Sequence, residues 1–293
     1  MNLYYATPKS GLQMNLNLQS LTTIALALLT LTFYLPADRS QARSKSIILQ
    51  SATSPENAGL YRHILPIFEQ KTGIKVHVVA VGTGQALRNG RAGDGDVLLA
   101  HSKAEEEKFV SEGYGVQRFD VMSNDFVIVG PAGDPAGLSR LGTARDAFSA
   151  IAQKGALFIS RGDNSGTHVK ERQIWQTLFI DVTEASGTWY RETGAGMGAT
   201  LNMAVGLGAY TLTDRGTWIS FGNRRNFKIL LDKDPALFNP YGVILVNPNR
   251  HARVNSRDGQ TFIDWLLSKD GQQAIAGYKI NGQPPFLPNA RKR

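Results

Sequence analysis

A short polar stretch, residues 161–168 (RGDNSGTH), concentrates hydrogen-bond donors immediately before a segment with the pattern of a helix. Arg161 can offer a bidentate guanidinium fork, while Ser165 and Thr167 contribute hydroxyl groups. Gly166 lets the backbone approach a ligand closely because it has no side chain. The free N–H groups and the dipole of a helix N-terminus also favour negative charge. This stretch therefore predicts a site for a small anion, with a plain helix cap as the alternative.

Two more loops show the same order of strand, polar loop and helix. The first (SATS) places Thr53 and Ser54 at the start of a helix, and the second (GTGQ) places Thr83 and Gly84 there. A hydroxyl at such a position is an ordinary helix cap, so one loop alone carries little weight. Three loops together predict convergent donors around a tetrahedral oxyanion, with Arg161 supplying the charge.

Two features near these loops leave alternatives open. The glycine-rich run at residues 194–200 (GAGMGAT) opens another helix, where Thr200 and the backbone N–H groups would complete the anion cage. The same run would serve equally well as a flexible connector between lobes. Asp163 either braces Arg161 or accepts a proton from a protonated ligand. The brace is favoured because a carboxylate turned toward a dianion would repel it.

Enzymatic and metal-dependent functions find little support in the motifs. The five histidines show no HxxxH or HExxH spacing, so no metal site is expected. His168 lies near Ser165, which leaves a serine hydrolase as an alternative, but no G-x-S-x-G elbow is present. No Walker motif occurs, and GTGQAL lacks the third glycine of a dinucleotide fingerprint. The sequence predicts a binding protein with no catalytic residues and no cofactor.

Composition narrows the class of protein further. The chain has 293 residues and no cysteine, which excludes disulfides, thiolate metal sites and a lipoprotein anchor. A formal net charge of +8 suits an anionic ligand and leaves a polyanion-binding surface protein as another alternative. The basic C-terminal tail has no interleaved aromatic residues, so no nucleic-acid partner is expected.

The amino-terminal region has the pattern of an export signal. Residues 21–35 form an uncharged apolar run that is short for a membrane span, which needs about 20 residues. Ser40 and Ala42 then place small residues where a signal peptidase reads them. Residues 1–42 are therefore predicted to be a signal peptide that is removed on export to a periplasm. A single transmembrane anchor is the alternative.

The remaining chain reads as alternating strands and helices, which predicts an α/β protein with a parallel sheet covered by helices. Two similar strands stopped by proline, DFVIVGP and YGVILVNP, bracket a separate α/β stretch. This arrangement predicts two lobes joined by two crossover strands, with a ligand cleft between them. The first lobe would comprise residues 45–125 plus 245–293, and the second lobe residues 131–240.

The ordered motifs SATSPENAGL, GTGQAL, EEKFVSEGYG, NDFVIVGP, RGDNSGTH and GMGATLNMA resemble the tungstate-binding periplasmic components of ABC transporters. The resemblance covers essentially the whole chain after the predicted signal peptide. It implies a two-lobed type II periplasmic binding protein fold that delivers tungstate, with molybdate as a second ligand, to a membrane permease. The chain is expected to act as a monomer.

The same resemblance places site residues one by one. Arg161 corresponds to the family's arginine at the oxyanion, with Ser165, Gly166 and Thr167 beside it. Thr53 and Ser54 match the family's TTTS loop, whereas Ala52 replaces a threonine and has no hydroxyl to offer. A phosphate-binding protein is the nearest alternative, because its arginine and SGT loop are similar. A cage made only of donors should reject protonated phosphate, whose P–OH would find no acceptor.

Overall fold

The computed structural model describes residues 45–290, so the predicted signal peptide lies outside the described part. The chain begins with β1 (Ser46–Ala52), α1 (Thr53–Asn57), α2 (Leu60–Thr72), β2 (Lys75–Val81), α3 (Thr83–Ala92), β3 (Val97–Ala100), α4 (Lys103–Ser111) and β4 (Gly115–Pro131). It continues with α5 (Ala144–Gln153), β5 (Phe158–Ser160), α6 (Gly166–Thr177), β6 (Tyr190–Glu192), α7 (Met197–Leu207), β7 (Thr211–Asp214), α8 (Arg215–Ser220) and β8 (Phe227–Leu231). It ends with β9 (Phe238–Val246), α9 (Ser256–Leu267), α10 (Lys269–Gly277) and β10 (Leu287–Pro288).

Two long strands carry the chain between two parts of the fold. The first half of β4 pairs antiparallel with β9, from Gly115 opposite Val246 to Asp125 opposite Phe238. The second half of β4 leaves β9 and pairs with β7 and β8 instead. The strands that contain the two matching sequences, β4 and β9, are thus neighbours, although the DFVIVGP segment itself pairs with β7 and β8.

The first lobe is a mixed sheet in the order β10-β4-β9-β3-β1-β2, covered by helices on both faces. β1 pairs parallel with β2 and β3, as the repeating strand–helix pattern predicts. β9 inserts antiparallel between β3 and β4, so the sheet predicted as parallel is in fact mixed. The returning crossover strand must run against β4, which explains the mixed order. One face packs on α2, α9 and α10, and the other packs on α3 and α4.

The second lobe repeats the layered plan on a smaller scale. The end of β4 pairs with β7 and β8, while β5 pairs parallel with β6. One core lies under α5 and α6, built on aromatic residues such as Phe148 and Trp175, whose ring centroids are 4.4 Å apart. A second core lies under α7 and α8. The fold is therefore α/β and two-lobed, whereas the predicted residue boundaries of the lobes stay a prediction.

Several local elements differ from the sequence-based expectation in informative ways. The helix expected after the SATS loop is split in two, because Gly59 adopts a left-handed conformation (φ 79°) between α1 and α2. The strand predicted at DFVIVGP is the second half of the 17-residue β4. No helix within residues 45–290 has the length and apolar character needed to cross a bilayer.

Candidate functional site

The RGDNSGTH stretch forms the loop between β5 and α6. Ser165 is the N-cap of α6, and its Oγ accepts a hydrogen bond from the His168 backbone N–H at 3.3 Å. Asn164 reaches the cap through a left-handed conformation (φ 56°), which asparagine tolerates better than most residues. Gly166 and Thr167 are buried in the first turn of α6. The loop therefore presents the N-terminus of a 12-residue helix, as the sequence predicts.

The Arg161 guanidinium is buried, with 5% of its surface exposed, and is held by one carboxylate. Its Nη2 donates to Asp163 Oδ2 at 2.5 Å, and Asp163 Oδ1 accepts from the Ser165 backbone N–H at 3.2 Å. Asp163 thus orients the arginine and the helix cap together, which is the brace favoured from the sequence. Both of its oxygens accept hydrogen bonds within the loop, so the protein itself sets the orientation of the Asp163 carboxylate.

His168 serves the loop as an acceptor and not as a base for Ser165. Its Nδ1 lies 3.1 Å from Ser160 Oγ and 3.1 Å from the Gly162 backbone nitrogen, which donates to it. Burial lowers the pKa of His168, although Asp163 and Glu192 oppose that shift. The proposed serine–histidine pair is therefore not formed, and the serine hydrolase alternative loses its general base.

Thr200 supports the Arg161 loop from behind. Its Oγ1 lies 3.0 Å from Thr193 Oγ1 and donates to the Gly196 carbonyl at 3.2 Å. Thr193 Oγ1 in turn donates to the Arg161 carbonyl at 3.2 Å. The glycine-rich run at residues 194–200 therefore belongs to the second lobe, where α7 packs on β5. It is not a connector between lobes, because β4 and β9 make those crossings.

The opposite wall of the site is the N-terminus of α3. Thr83 is buried at the first position of this helix, and Gly82 precedes it as an N-cap without a side-chain bond. A Cβ built on Gly82 would lie 3.7 Å from Ser165, and one built on Gly84 would lie only 2.9 Å from the Asn164 carbonyl oxygen. The two predicted loops from different lobes are thus in direct contact, and Gly84 allows the closest approach.

The third predicted loop leads into α1. Thr53 is the first residue of α1 and is half-buried, whereas Ser54 is buried. Burial raises the pKa of Tyr241 well above its usual value, while a hydrogen bond with Ser54 acts in the opposite direction. Ser54 therefore has a partner in β9, and the backbone N–H groups of α1 are what this loop adds to the site.

Two buried polar atoms in these walls have no hydrogen-bond partner. They are Thr83 Oγ1 on the α3 side and Arg161 Nε on the α6 side. A buried hydroxyl or guanidinium N–H without a partner is unfavourable by about 1–3 kcal/mol, so such atoms need a reason. An anion between the two walls would accept from both, together with the free backbone N–H groups of α3 and α6. No cluster of three or more potential metal ligands occurs within residues 45–290.

Some of this site was not visible in the sequence. The left-handed Asn164, the contact of Gly84 with its carbonyl and the role of Thr193 behind Arg161 all depend on tertiary structure. A signal for Asn164 was present, since asparagine between an aspartate and a serine is a common turn residue. Two lobes that close on a buried, donor-lined site are the arrangement of a solute-binding protein.

Comparison with known proteins agrees with this class. Residues 37–270 match the profile described as the PBP superfamily domain. The tungstate-binding protein TupA of Peptoclostridium acidaminophilum is 45% identical over 259 residues, covering 87% of this chain and 89% of that protein. The protein of the same name from Campylobacter jejuni is 36% identical and covers 82% of this chain and 90% of its own length.

Solved structures give the same result at the level of the fold. The tungstate ABC transporter structure from Geobacter sulfurreducens matches with a TM-score of 0.72 and 46% identity, covering 80% of this chain and 98% of that one. The tungstate-binding protein TupA from Desulfovibrio alaskensis G20 matches with a TM-score of 0.73 and 41% identity, covering 84% and 100%. The chain belongs to the PBP superfamily and, within it, to the same family as these proteins.

Proposed function

We propose that this protein binds tungstate between its two lobes and delivers it to the membrane permease of an ABC transporter. Arg161 provides the charge, and the first turn of α6, including Ser165, Gly166 and Thr167, provides close donors. Thr83 and Gly84 face them from α3, and Thr53 and Ser54 contribute from α1. Relatives named for tungstate binding, at 36–45% identity over most of the chain, support this choice of ligand.

The observation that carries the proposal is the pair of unpartnered buried atoms, Thr83 Oγ1 and Arg161 Nε. They belong to different lobes, and the loops that hold them are in contact through Gly84 and Asn164. A ligand that accepts several hydrogen bonds satisfies both atoms and ties the lobes together at once. Tungstate and molybdate each present four oxygens and carry no proton at neutral pH.

The state of Asp163 argues against phosphate. Monohydrogen phosphate carries one O–H that needs an acceptor inside the closed site. The Asp163 carboxylate is turned toward Arg161 Nη2 and the Ser165 N–H, at 2.5 and 3.2 Å, so the protein and not a ligand orients it. A fully deprotonated oxyanion needs no acceptor. Weaker binding of phosphate is therefore expected from a site whose carboxylate is held by the arginine.

Calorimetric titration with tungstate, molybdate, sulfate and phosphate tests this function directly. We expect tight binding of tungstate, measurable binding of molybdate and much weaker binding of phosphate. Native mass spectrometry of the protein in an equimolar mixture of the four anions gives the order of preference independently. Tight phosphate binding without tungstate binding would replace the proposal with the phosphate-binding alternative, and heparin binding with no anion bound would favour a polyanion-binding surface protein.

Export and lobe organisation complete the proposal. We infer that residues 1–42 direct export to a periplasm, that residues 45–125 plus 245–293 form the first lobe, and that residues 131–240 form the second. The partners are an oxyanion and a permease, and the protein acts as a monomer without a cofactor. Sequencing the amino terminus of the exported protein tests the cleavage near Ala42, and light scattering tests the monomer.

A further inference from the structure

His101 is a buried histidine where the two lobes meet, and none of the predicted site roles uses it. It follows β3 in the first lobe, and 7% of its surface is exposed. Its ring stacks on Tyr241 of β9, with centroids 5.0 Å apart and planes 10° apart. A Cβ built on Gly166 would lie 2.6 Å from its Cε1 and Nε2 atoms. The imidazole of one lobe thus occupies the space beside the first turn of α6 in the other.

A chain of hydrogen bonds runs from His101 through both crossover strands. Nδ1 of His101 lies 2.9 Å from Asn239 Oδ1 in β9. Asn239 Nδ2 donates to Asn124 Oδ1 in β4 at 2.6 Å, and Asn124 Nδ2 donates to Asp214 Oδ1 at 3.2 Å. Asp214 is the last residue of β7 in the second lobe, and its Oδ1 also accepts a hydrogen bond from the Thr217 backbone N–H at 2.9 Å. The chain therefore joins the lobes at the two strands that connect them.

The direction of this chain fixes which nitrogen of His101 carries the proton. An ionised carboxylate only accepts, so Asp214 turns the Asn124 amide nitrogen toward itself. The Asn124 oxygen then faces the Asn239 nitrogen, and the Asn239 oxygen faces His101. Nδ1 must therefore donate, and in a neutral ring Nε2 carries a lone pair. This lone pair lies beside Gly166, at the end of α6 where free N–H groups accumulate.

The surroundings of His101 favour its neutral form in the closed protein. Burial lowers the pKa of His101, and Arg161 and Lys170 of the second lobe lower it further. Asp214 and the hydrogen bond with Asn239 oppose the shift without reversing it. Tyr241, the titratable group stacked on the ring, stays neutral because burial raises its own pKa. A second proton, on Nε2, would lie beside the first turn of α6, where the positive end of the helix dipole disfavours added positive charge.

We propose that His101 is the positioning residue for lobe closure, and that the closed, anion-bound state requires this ring to be neutral with its proton on Nδ1. The inference rests on the proposed function, since an anion closes the lobes. When the lobes separate, the ring loses its contact with Gly166 and the charges of the second lobe, so it takes up a proton more readily than in the closed state. Acid therefore favours the open protein, and anion binding releases a proton.

The sign follows from linkage. The closed state lowers the pKa of His101, so its contribution to closure is complete above the open-state pKa and is lost as the pH falls below it. A ring that regained the full reference pKa of histidine sets the upper limit, at which binding at pH 6 releases about 0.8 of a proton. The apparent Kd then rises by up to about fourfold between pH 7.5 and pH 6, and by up to about tenfold between pH 7.5 and pH 5.5.

Calorimetric titration of the purified protein with tungstate at pH 6, in two buffers that differ in ionisation enthalpy, counts the protons exchanged. We expect release in the wild-type protein and its loss in His101→Gln, which keeps a polar side chain without a titrating ring. His77→Gln changes an exposed histidine on β2 and should leave the release intact. Proton uptake, no exchange, or equal release in His101→Gln would overturn the proposal.

Nitrogen NMR of histidine-labelled wild-type protein decides the same point without a variant. With tungstate bound, the His101 ring should remain the neutral Nδ1–H tautomer at pH 6, and an imidazolium or the Nε2–H tautomer would overturn the proposal. Tungstate binding at pH 6 without proton release refutes the role of His101 and leaves the proposed function standing. If tungstate does not bind but another of the anions does, that anion replaces tungstate in the calorimetric and NMR experiments. If none of the anions binds, both the proposed function and the proposed role of His101 are wrong.

Discussion

The two walls of the cleft present the same helix-end chemistry with very different amounts of support. The α6 wall is charged and tied together, because Asp163 holds both Arg161 and the Ser165 backbone. The α3 wall is bare: Gly82 makes no side-chain cap, and the buried Thr83 hydroxyl has no partner. One wall is organised before the ligand arrives, and the other completes its hydrogen bonds only with the ligand.

This difference suggests a division of roles. A guanidinium must be held in place, because a freely rotating arginine would lose conformational entropy on binding. The α3 wall must instead come close, and Gly84 lies where any side chain would meet the Asn164 carbonyl oxygen. Changes to the α6 wall should therefore alter charge and preorganisation, whereas changes to the α3 wall should alter closure. Variants of the two walls therefore separate these two effects.

Arg161→Ala should give the largest loss of affinity. It removes the charge and leaves Asp163, whose partner has gone, facing an anion. We expect tungstate affinity to fall by at least about 2 kcal/mol, or about thirtyfold, as for truncation of a buried charged partner. Arg161→Lys keeps the charge and loses the planar fork, so its loss should be smaller. Calorimetric titration measures both, and unchanged affinity in Arg161→Ala would remove the α6 wall from the site.

Gly84→Ala should impair closure without harming the fold. The new Cβ would lie 2.9 Å from the Asn164 carbonyl oxygen, which is backbone and cannot easily move. We expect affinity to fall by about 2 kcal/mol, as for other overpacked contacts. The melting temperature without ligand should be unchanged or higher, because alanine favours the helix.

Gly82→Ala is the matched control for this change. Its Cβ would lie 3.7 Å from Ser165, an ordinary van der Waals distance. Its affinity should therefore stay within about 0.5 kcal/mol of the wild type. Equal losses in the two variants would show that the close approach at Gly84 is not what limits closure.

Thr83→Val should separate ligand binding from stability by their opposite signs. The Thr83 hydroxyl is buried without a partner, so valine of the same shape removes an unsatisfied group. We expect the free energy of unfolding without ligand to rise by about 1 kcal/mol and the tungstate affinity to fall by about 1.5 kcal/mol. Thr83→Ser keeps the hydroxyl and should retain most of the affinity. Thermal melts measure the stability, and calorimetry measures the affinity. If the free energy of unfolding and the tungstate affinity changed in the same direction, the proposed role of Thr83 as a donor to the ligand would be wrong.

The sequence predicted the local chemistry of both walls and their convergence, but not the residues at which they meet. Strand–loop–helix order located Thr83 and Ser165 correctly at helix starts, because caps and hydrophobic periodicity are local properties. The contact of Gly84 with Asn164 joins residues 80 positions apart in different lobes, and no local pattern encodes it.

The crossover strands were a similar case. Their matching apolar runs indicated two crossings, but the antiparallel pairing of β9 with β3 and with the first half of β4, which makes the first sheet mixed, emerged only from the fold. The asparagines of these strands, Asn124 and Asn239, looked unremarkable in the sequence. Their hydrogen bond at 2.6 Å links His101 to Asp214, and the sequence offered no signal for it.

Thr200→Val tests whether the α6 wall of the site includes the Thr200 hydroxyl of α7. This substitution should have the smallest effect on tungstate binding. The sequence places Thr200 in the anion cage, but its hydroxyl already bonds Thr193 Oγ1 and the Gly196 carbonyl, at 3.0 and 3.2 Å. Losing these bonds should lower the free energy of unfolding by about 1 kcal/mol, while affinity changes by at most about 0.5 kcal/mol. Thr200→Ser keeps both bonds and should match the wild type. A tenfold loss of affinity in Thr200→Val at unchanged stability would instead place the hydroxyl against the oxyanion, and the braced wall would then extend from α6 to α7.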